Sequence, residues 1–170
     1  MPVLEMIQET VKLVGSEKVN LTGENLKGRD LSHFNLKKAT LTQVNLENAT
    51  LKEINLSEAT LEWANFAGAK LKNADLSKAK LFRANLQAAD LEECNLSEAY
   101  LGKADLREAV LKNADLSKAK LHYADLRGAI LEGTNLEGAD LRWSRYNSET
   151  VWPHEKFDPG ITGAILYERA

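Results

Sequence analysis

Leucine returns at every fifth residue from Leu21 to Leu141, and Phe66 is the single departure among those 25 positions. Two residues before each Leu stands a second, smaller apolar position. From residue 39 to residue 139 it is Ala in 17 of 21 cases, the others being Val44, Ile54, Cys94 and Thr134. The unit reads Ala-(Asp/Asn)-Leu-x-x, as in Ala74-Asp75-Leu76-Ser77-Lys78 and again in Ala114-Asp115-Leu116-Ser117-Lys118. A spacing of five excludes both ordinary elements. An α-helix turns about 100° per residue and would smear successive leucines around its cylinder at about 140° intervals. A flat strand would send alternate leucines to opposite faces. Ala and Leu, two apart, do share one face of a short extended piece, and a corner in the other three residues returns the next Ala inward. Turning about 90° per unit closes a square coil in four units, with coils stacked about 4.8 Å apart. The run therefore predicts about six coils, with Leu and Ala in the lumen and backbone ladders joining the coils.

This run, residues 20–145 and about three quarters of the chain, resembles the pentapeptide repeat family. The resemblance implies a right-handed quadrilateral β-helix, an all-β solenoid. The tail from Thr150-Val151-Trp152-Pro153 to Gly160 is also similar to the segment that follows the repeats in some members. A scaffold fold names no function by itself. One domain over 1–170 is expected: an N-terminal helical cap at 2–15, the repeats at 20–145 and a C-terminal capping segment at 146–170.

Stacked coils leave open ladder edges and bare leucines at both ends, so both ends need cover. Pro2 suits a first helical turn, Leu4, Ile7, Val11 and Val14 share one face, and Gly15 can end the helix. At the other end Asp158-Pro159-Gly160 marks a turn, after which Ile161, Ala164, Ile165 and Leu166 offer apolar cover. Glu24 and Arg29 stand where later units hold inward Ala, so the first coil is expected to be incomplete. Phe34, Val44 and Ile54 predict a differently packed early lumen.

Twenty residues per coil sort every outward side chain onto one of four faces. The position before each Leu is Asn or Asp at all twelve of residues 25, 35 and on to 135. Their short side chains bond nearby backbone amides, so these ladders read as structural, with an acidic stripe at Asp105 and Asp125 as the other reading. Lys38, Glu58, Lys78, Glu98 and Lys118 stack with alternating sign as a solvated ion-pair wall. The contrasting face runs through 39–43, 59–63, 79–83, 99–103, 119–123 and 139–143. It carries Trp63, Phe82, Tyr100, Tyr123 and Trp143, together with Lys80, Arg83, Lys103, Lys120, Arg142 and His122, against Glu62 and Asp140. Exposed aromatics among cations have the composition of an interaction surface, although mutual cation–π stacking would also hold such a set together.

Composition adds mainly exclusions. A formal net charge of −3 draws the chain neither to nucleic acid nor into the class of densely acidic DNA mimics. No apolar run approaches the roughly 20 residues that span a bilayer. The single cysteine, Cys94, precludes an internal disulfide framework, and it replaces an inward Ala, as a buried structural thiol would. The start lacks a basic segment before an apolar core, so a cytoplasmic location is expected. His33, His122 and His154 have no partners at metal-ligand spacing, and no phosphate loop, dinucleotide fingerprint or nucleophile elbow is present. No enzyme, cofactor or metal is expected.

The reading is a non-catalytic module presenting its aromatic-basic face to a protein partner. The resemblance supplies an alternative, because some pentapeptide repeat proteins imitate DNA and modulate type II topoisomerases such as gyrase. Such mimics use a long acidic rod, usually paired through the C-terminal end. A monomer or an end-to-end dimer through a cap is accordingly expected here. Direct nucleic-acid binding is the weakest option, since the basic footprint is modest.

Overall fold

The computed structural model describes residues 3–168. Its dominant feature is a series of parallel bridges joining residues twenty apart, from Asn20 with Thr40 through Asp125 with Arg145. The chain thus winds one turn of a solenoid in every four units, and the register is that read from the leucines. Each unit is built alike. The Ala N–H donates to the preceding Leu carbonyl across a tight turn, as from Ala79 to Leu76 at 3.0 Å. Two further bonds reach the next coil, from Leu76 N–H to Asn95 O at 2.7 Å and from Lys78 N–H to Ser97 O at 2.9 Å. The second turn residue lies in the left-handed region, at φ 58° for Lys78 and 64° for Gly68. Where Asn or Asp precedes the Leu, its Oδ1 accepts from the first turn residue's amide, as Asp75 does from Ser77 at 3.0 Å. That bond pre-forms the corner, which is the structural role expected of these ladders. Side-chain amides also bridge coils, Asn65 to Asn45 at 3.3 Å and Asn85 to Asn65 at 3.0 Å.

The lumen is apolar: every Leu from Leu21 to Leu131 is buried, and Phe66 with them. Val44 and Ile54 are buried, whereas Phe34 is half-buried against the core. Polar atoms that enter the lumen bond a carbonyl, of the preceding coil or, for Ser144 Oγ with Leu141 O at 2.8 Å, of their own. Thr134 Oγ1 donates to Leu111 O at 2.7 Å and Cys94 Sγ to Leu71 O at 2.8 Å. Glu24 and Arg29 reach solvent, although their carbonyls accept the ladder bonds of Asn45 and Thr50. The first coil is complete in its backbone and incomplete only in its lining.

Helix α1, Val3–Val14, precedes the repeats and sinks Ile7 into the core, with Leu4 half-buried. Pro2 lies outside the described residues, as do the side chains of Val11 and Val14. No helix of the described residues is long and apolar enough to cross a membrane. The other end departs from expectation. An extra residue after Tyr146 pairs Ile130 with Val151, twenty-one apart. A short strand β2, Ile165–Leu166, then adds parallel to β1, Arg145–Tyr146. Because β2 extends the wall instead of folding across the lumen, Ile161, Ile165 and Leu166 are exposed, Ile161 by 84%. Trp152 and Phe157 provide the cover, stacked 5.0 Å apart against the core with Tyr146 edge-on to Trp152.

Candidate interaction face

The constant register brings all eleven candidate residues onto one face, in three columns parallel to the rod axis. Trp63, Arg83, Lys103, Tyr123 and Trp143 share the second turn position, Phe82, His122 and Arg142 the first, and Lys80, Tyr100 and Lys120 the position before the Leu. In the last column only its two ends, Asn20 and Asp140, make the Asx bond, so from Thr40 to Lys120 this face is relieved of the side-chain type that shapes corners elsewhere.

The rings and cations hold one another. Arg83 Cζ lies 4.5 Å from the Trp63 ring centre and Lys120 Nζ 4.6 Å from that of Tyr100. Lys103 Nζ sits between Phe82 and Tyr123, 5.9 and 5.8 Å from their centres. Tyr123 and Trp143 stack at 6.3 Å with 12° between planes, and His122 meets Tyr123 edge-on. Despite this, Trp63, Tyr100, Tyr123 and Trp143 remain 45–57% exposed.

The cations are not equivalent. Arg142 is spent on Asp140, to which it donates twice, at 2.8 and 2.7 Å. Those hydrogen bonds hold the Asp140 carboxyl down at about 2. Lys80, Arg83, Lys103 and Lys120 have no carboxylate within ion-pairing distance among the described residues. On the expected ion-pair wall the contacts are Lys38 with Glu58 at 3.6 Å and Lys78 with Glu98 at 3.8 Å. The expected acidic stripe is neutralised, since Arg107 chelates Asp105 and Arg127 chelates Asp125, with Arg145 adding 3.1 Å to Asp125.

Two features of the face escape a reading by composition. Gly102 is buried, and a Cβ there would lie 2.7 Å from the His122 ring and 3.3 Å from that of Phe82, so this glycine lets the two rings close over one coil. At the C-terminal end Tyr123 and Trp143 continue into a groove of about 490 Å³ lined also by Lys103, Arg145, Ile165 and Tyr167. The one available signal was the spacing of twenty from Arg145 to Ile165, which falls outside the leucine run.

No group of His, Cys, Asp or Glu among the described residues could hold a metal. The Cys94 thiol is 1% exposed and burial pushes it up to about 12. A thiol so placed is inert in the native state. Cys94 should resist an aromatic disulfide reagent at pH 8 and react at once in guanidinium. Rapid labelling of the folded chain would show that the lumen opens there.

The family model described as Pentapeptide repeats, eight copies, matches residues 20–58, 59–97, 94–133 and 112–145. No curated protein matches the sequence. Among solved structures, the pentapeptide repeat protein Rfr23 from the cyanobacterium Cyanothece 51142 is 29% identical over 88% of this chain and 99% of its own, with a TM-score of 0.58. HetL of Nostoc sp. strain PCC 7120, a pentapeptide repeat protein involved in heterocyst differentiation regulation, is 32% identical over 86% of this chain and 67% of its own, with a TM-score of 0.46. A trypsin-treated form of QnrB1, a plasmid-mediated fluoroquinolone resistance protein, is 16% identical over 86% of this chain and 84% of its own, with a TM-score of 0.67. None of these likenesses indicates an enzymatic family.

Proposed function

The chain belongs to the pentapeptide repeat family, and from that premise we propose a non-catalytic scaffold that presents its aromatic-basic face to a protein partner. In this reading the single domain is a right-handed rod of about six square coils, closed by α1 at one end and by residues 146–168 at the other. The carrying observation is the exposure of Trp63, Tyr100, Tyr123 and Trp143 beside four cations that no carboxylate among the described residues neutralises.

Magnitudes favour binding over stacking alone. Trp63, Tyr123 and Trp143 hold φ of 63°, 60° and 63°, a left-handed conformation that costs a side-chain-bearing residue about 1–2 kcal/mol. The equivalent turn position is left-handed throughout the rod and most units fill it with a side-chain-bearing residue, such as Lys78 at 58° or Glu98 at 56°, so that cost belongs to the corner and not to the rings. An exposed cation–π contact returns about 0.5–1 kcal/mol. The backbone therefore does not call for large rings there, and a contact of that size leaves them half exposed, whereas a partner that buries them accounts for the choice. The DNA-mimic alternative calls for uncompensated carboxylates, and Asp105 and Asp125 are both matched by arginines.

Replacing Trp63, Phe82, Arg83, Tyr123 and Trp143 together by Ser should abolish capture of the partner. The β-type circular dichroism should persist with a melting point only a few degrees lower, because these side chains face solvent. Gyrase supplies the control titration. A variant that still captures the partner, or one whose binding fails only in step with unfolding, would sink the proposal. Inhibition of gyrase that survives in this variant and disappears on reversing Asp75, Asp105, Asp115 and Asp125 to Lys would establish the alternative instead.

A further inference from the structure

We propose that the occupant of this face is an acidic, extended protein segment that also inserts one apolar side chain into the groove beside Trp143. The inference rests on the face being a partner surface and names the chemistry of the partner.

Charge is the first ground. On the other faces cations meet carboxylates across the coils: Lys27 with Glu47 at 2.9 Å, Lys72 with Glu92 at 3.0 Å, Lys112 with Glu132 at 2.6 Å. Lys52, Lys70 and Lys118 on those faces have no such pair either, but among the described residues only this face gathers four unpaired cations, Lys80, Arg83, Lys103 and Lys120. Three of them lie against rings of their own face, and a ring positions a cation without cancelling its charge. The complement this face lacks is a set of carboxylates.

Spacing is the second. Arg83 and Lys103 are one coil apart, about 4.8 Å, and Lys80 and Lys120 two coils apart, about 10 Å. A segment lying along the rod in the extended polyproline II conformation rises about 3.1 Å per residue and repeats every three residues, so carboxylates three apart share one side about 9.3 Å apart, close to the two-coil interval. The groove at the C-terminal end then receives a side chain between Tyr123, Trp143, Ile165 and Tyr167, with Lys103 and Arg145 at its rim.

Ring geometry decides against the other polyanion. Single-stranded nucleic acid binds by stacking bases on open aromatic faces. Here Arg83 takes the face of Trp63, Lys120 that of Tyr100, and Tyr123 lies between Trp143 and Lys103. Each of these rings thus has at least one face already taken by a neighbour, which leaves less open ring surface than a base-stacking platform uses.

The test is fluorescence anisotropy with the full chain and four labelled probes: a peptide repeating Glu-Glu-Leu, its Gln-Gln-Leu and Lys-Lys-Leu counterparts, and oligothymidylate of equal length. Binding of the Glu peptide should be the tightest and should weaken with added salt. Replacing Lys80, Arg83, Lys103 and Lys120 together by Ser should weaken it at least tenfold, and Trp143→Ser should weaken it further. Equal binding of the Gln peptide, indifference to the four-Ser variant, tighter binding of oligothymidylate, or no binding of the Glu peptide would each overturn the inference. Two of these outcomes separate it from the reading beneath it. Gln-peptide binding that Trp143→Ser abolishes keeps the face as a binding surface and discards only the acidic partner. Binding that neither variant changes removes both.

Discussion

Leu116→Asp should abolish cooperative folding. Leu116 is fully buried, and its amide donates to Asn135 O at 2.8 Å, so its side chain stands at the middle of the lumen wall. Truncating a packed Leu costs about 2–5 kcal/mol. A carboxylate left among leucines without a partner adds several more, or stays protonated at a similar cost. Their sum matches the whole stability of an ordinary domain, about 5–15 kcal/mol. A solenoid has no reserve elsewhere, because each coil is held only by its neighbours, and a failed coil uncouples the two halves of the rod. Ala114→Thr is the control. Thr134 and Cys94 occupy the same kind of position and reach a carbonyl of the preceding coil, so a hydroxyl there finds a partner. Thermal melting followed by circular dichroism should show no transition for Leu116→Asp and a nearly native one for Ala114→Thr. If Leu116→Asp melted within a few degrees of the parent, the lumen assignment would be wrong.

The same contrast marks how far the sequence could be read. The repeat of five carried both the interior and the register, because an inward position that recurs without interruption admits one winding. That register by itself groups the eleven face residues, and the Asn and Asp recurring before Leu carry their corner-forming role in the same way. Arg142 was legible as a cation of the face but not as one consumed by Asp140. Two residues on one corner pair or part according to side-chain rotamer, which periodicity does not encode. The C-terminal end was misread for a related reason. Ile161, Ile165 and Leu166 are apolar, and apolarity suggested cover. One extra residue between Tyr146 and Val151 instead sets β2 into the wall, and the rings of Trp152 and Phe157 take the place over the core. With the period gone, composition cannot say which apolar residues turn inward. Gly102 was legible only as a missing side chain, since its importance lies in what His122 and Phe82 do above it.

Removing residues 1–15 should turn the rod into a self-associating species. The bridges begin with Asn20 and Thr40, so the outer edge of the first coil has no further coil to pair with. That end is protected in two ways. Where units carry Glu24 and Arg29, charge reaches solvent and discourages stacking of another rod, as charged residues do at sheet edges. The remainder lies near α1, which buries Ile7 completely, and Ser16 Oγ ties the following turn to Lys37 O at 2.7 Å. Losing the helix forfeits the burial of Ile7, about 1.5–3 kcal/mol, and bares leucines of the first coil. A bare ladder edge beside bare leucines is a template for a second copy. Light scattering should therefore give the truncated chain a larger mass than the full chain at equal concentration, rising with concentration. Adding Glu24→Ala and Arg29→Ala should increase association further, because it removes the charge that guards the rest of the end. Adding Leu21→Lys should reverse it by placing a charge on the newly bared surface. A truncated chain that stayed monomeric and melted like the parent would show that α1 covers nothing the rod needs covered, and the protection of that end would then fall to Glu24 and Arg29 alone.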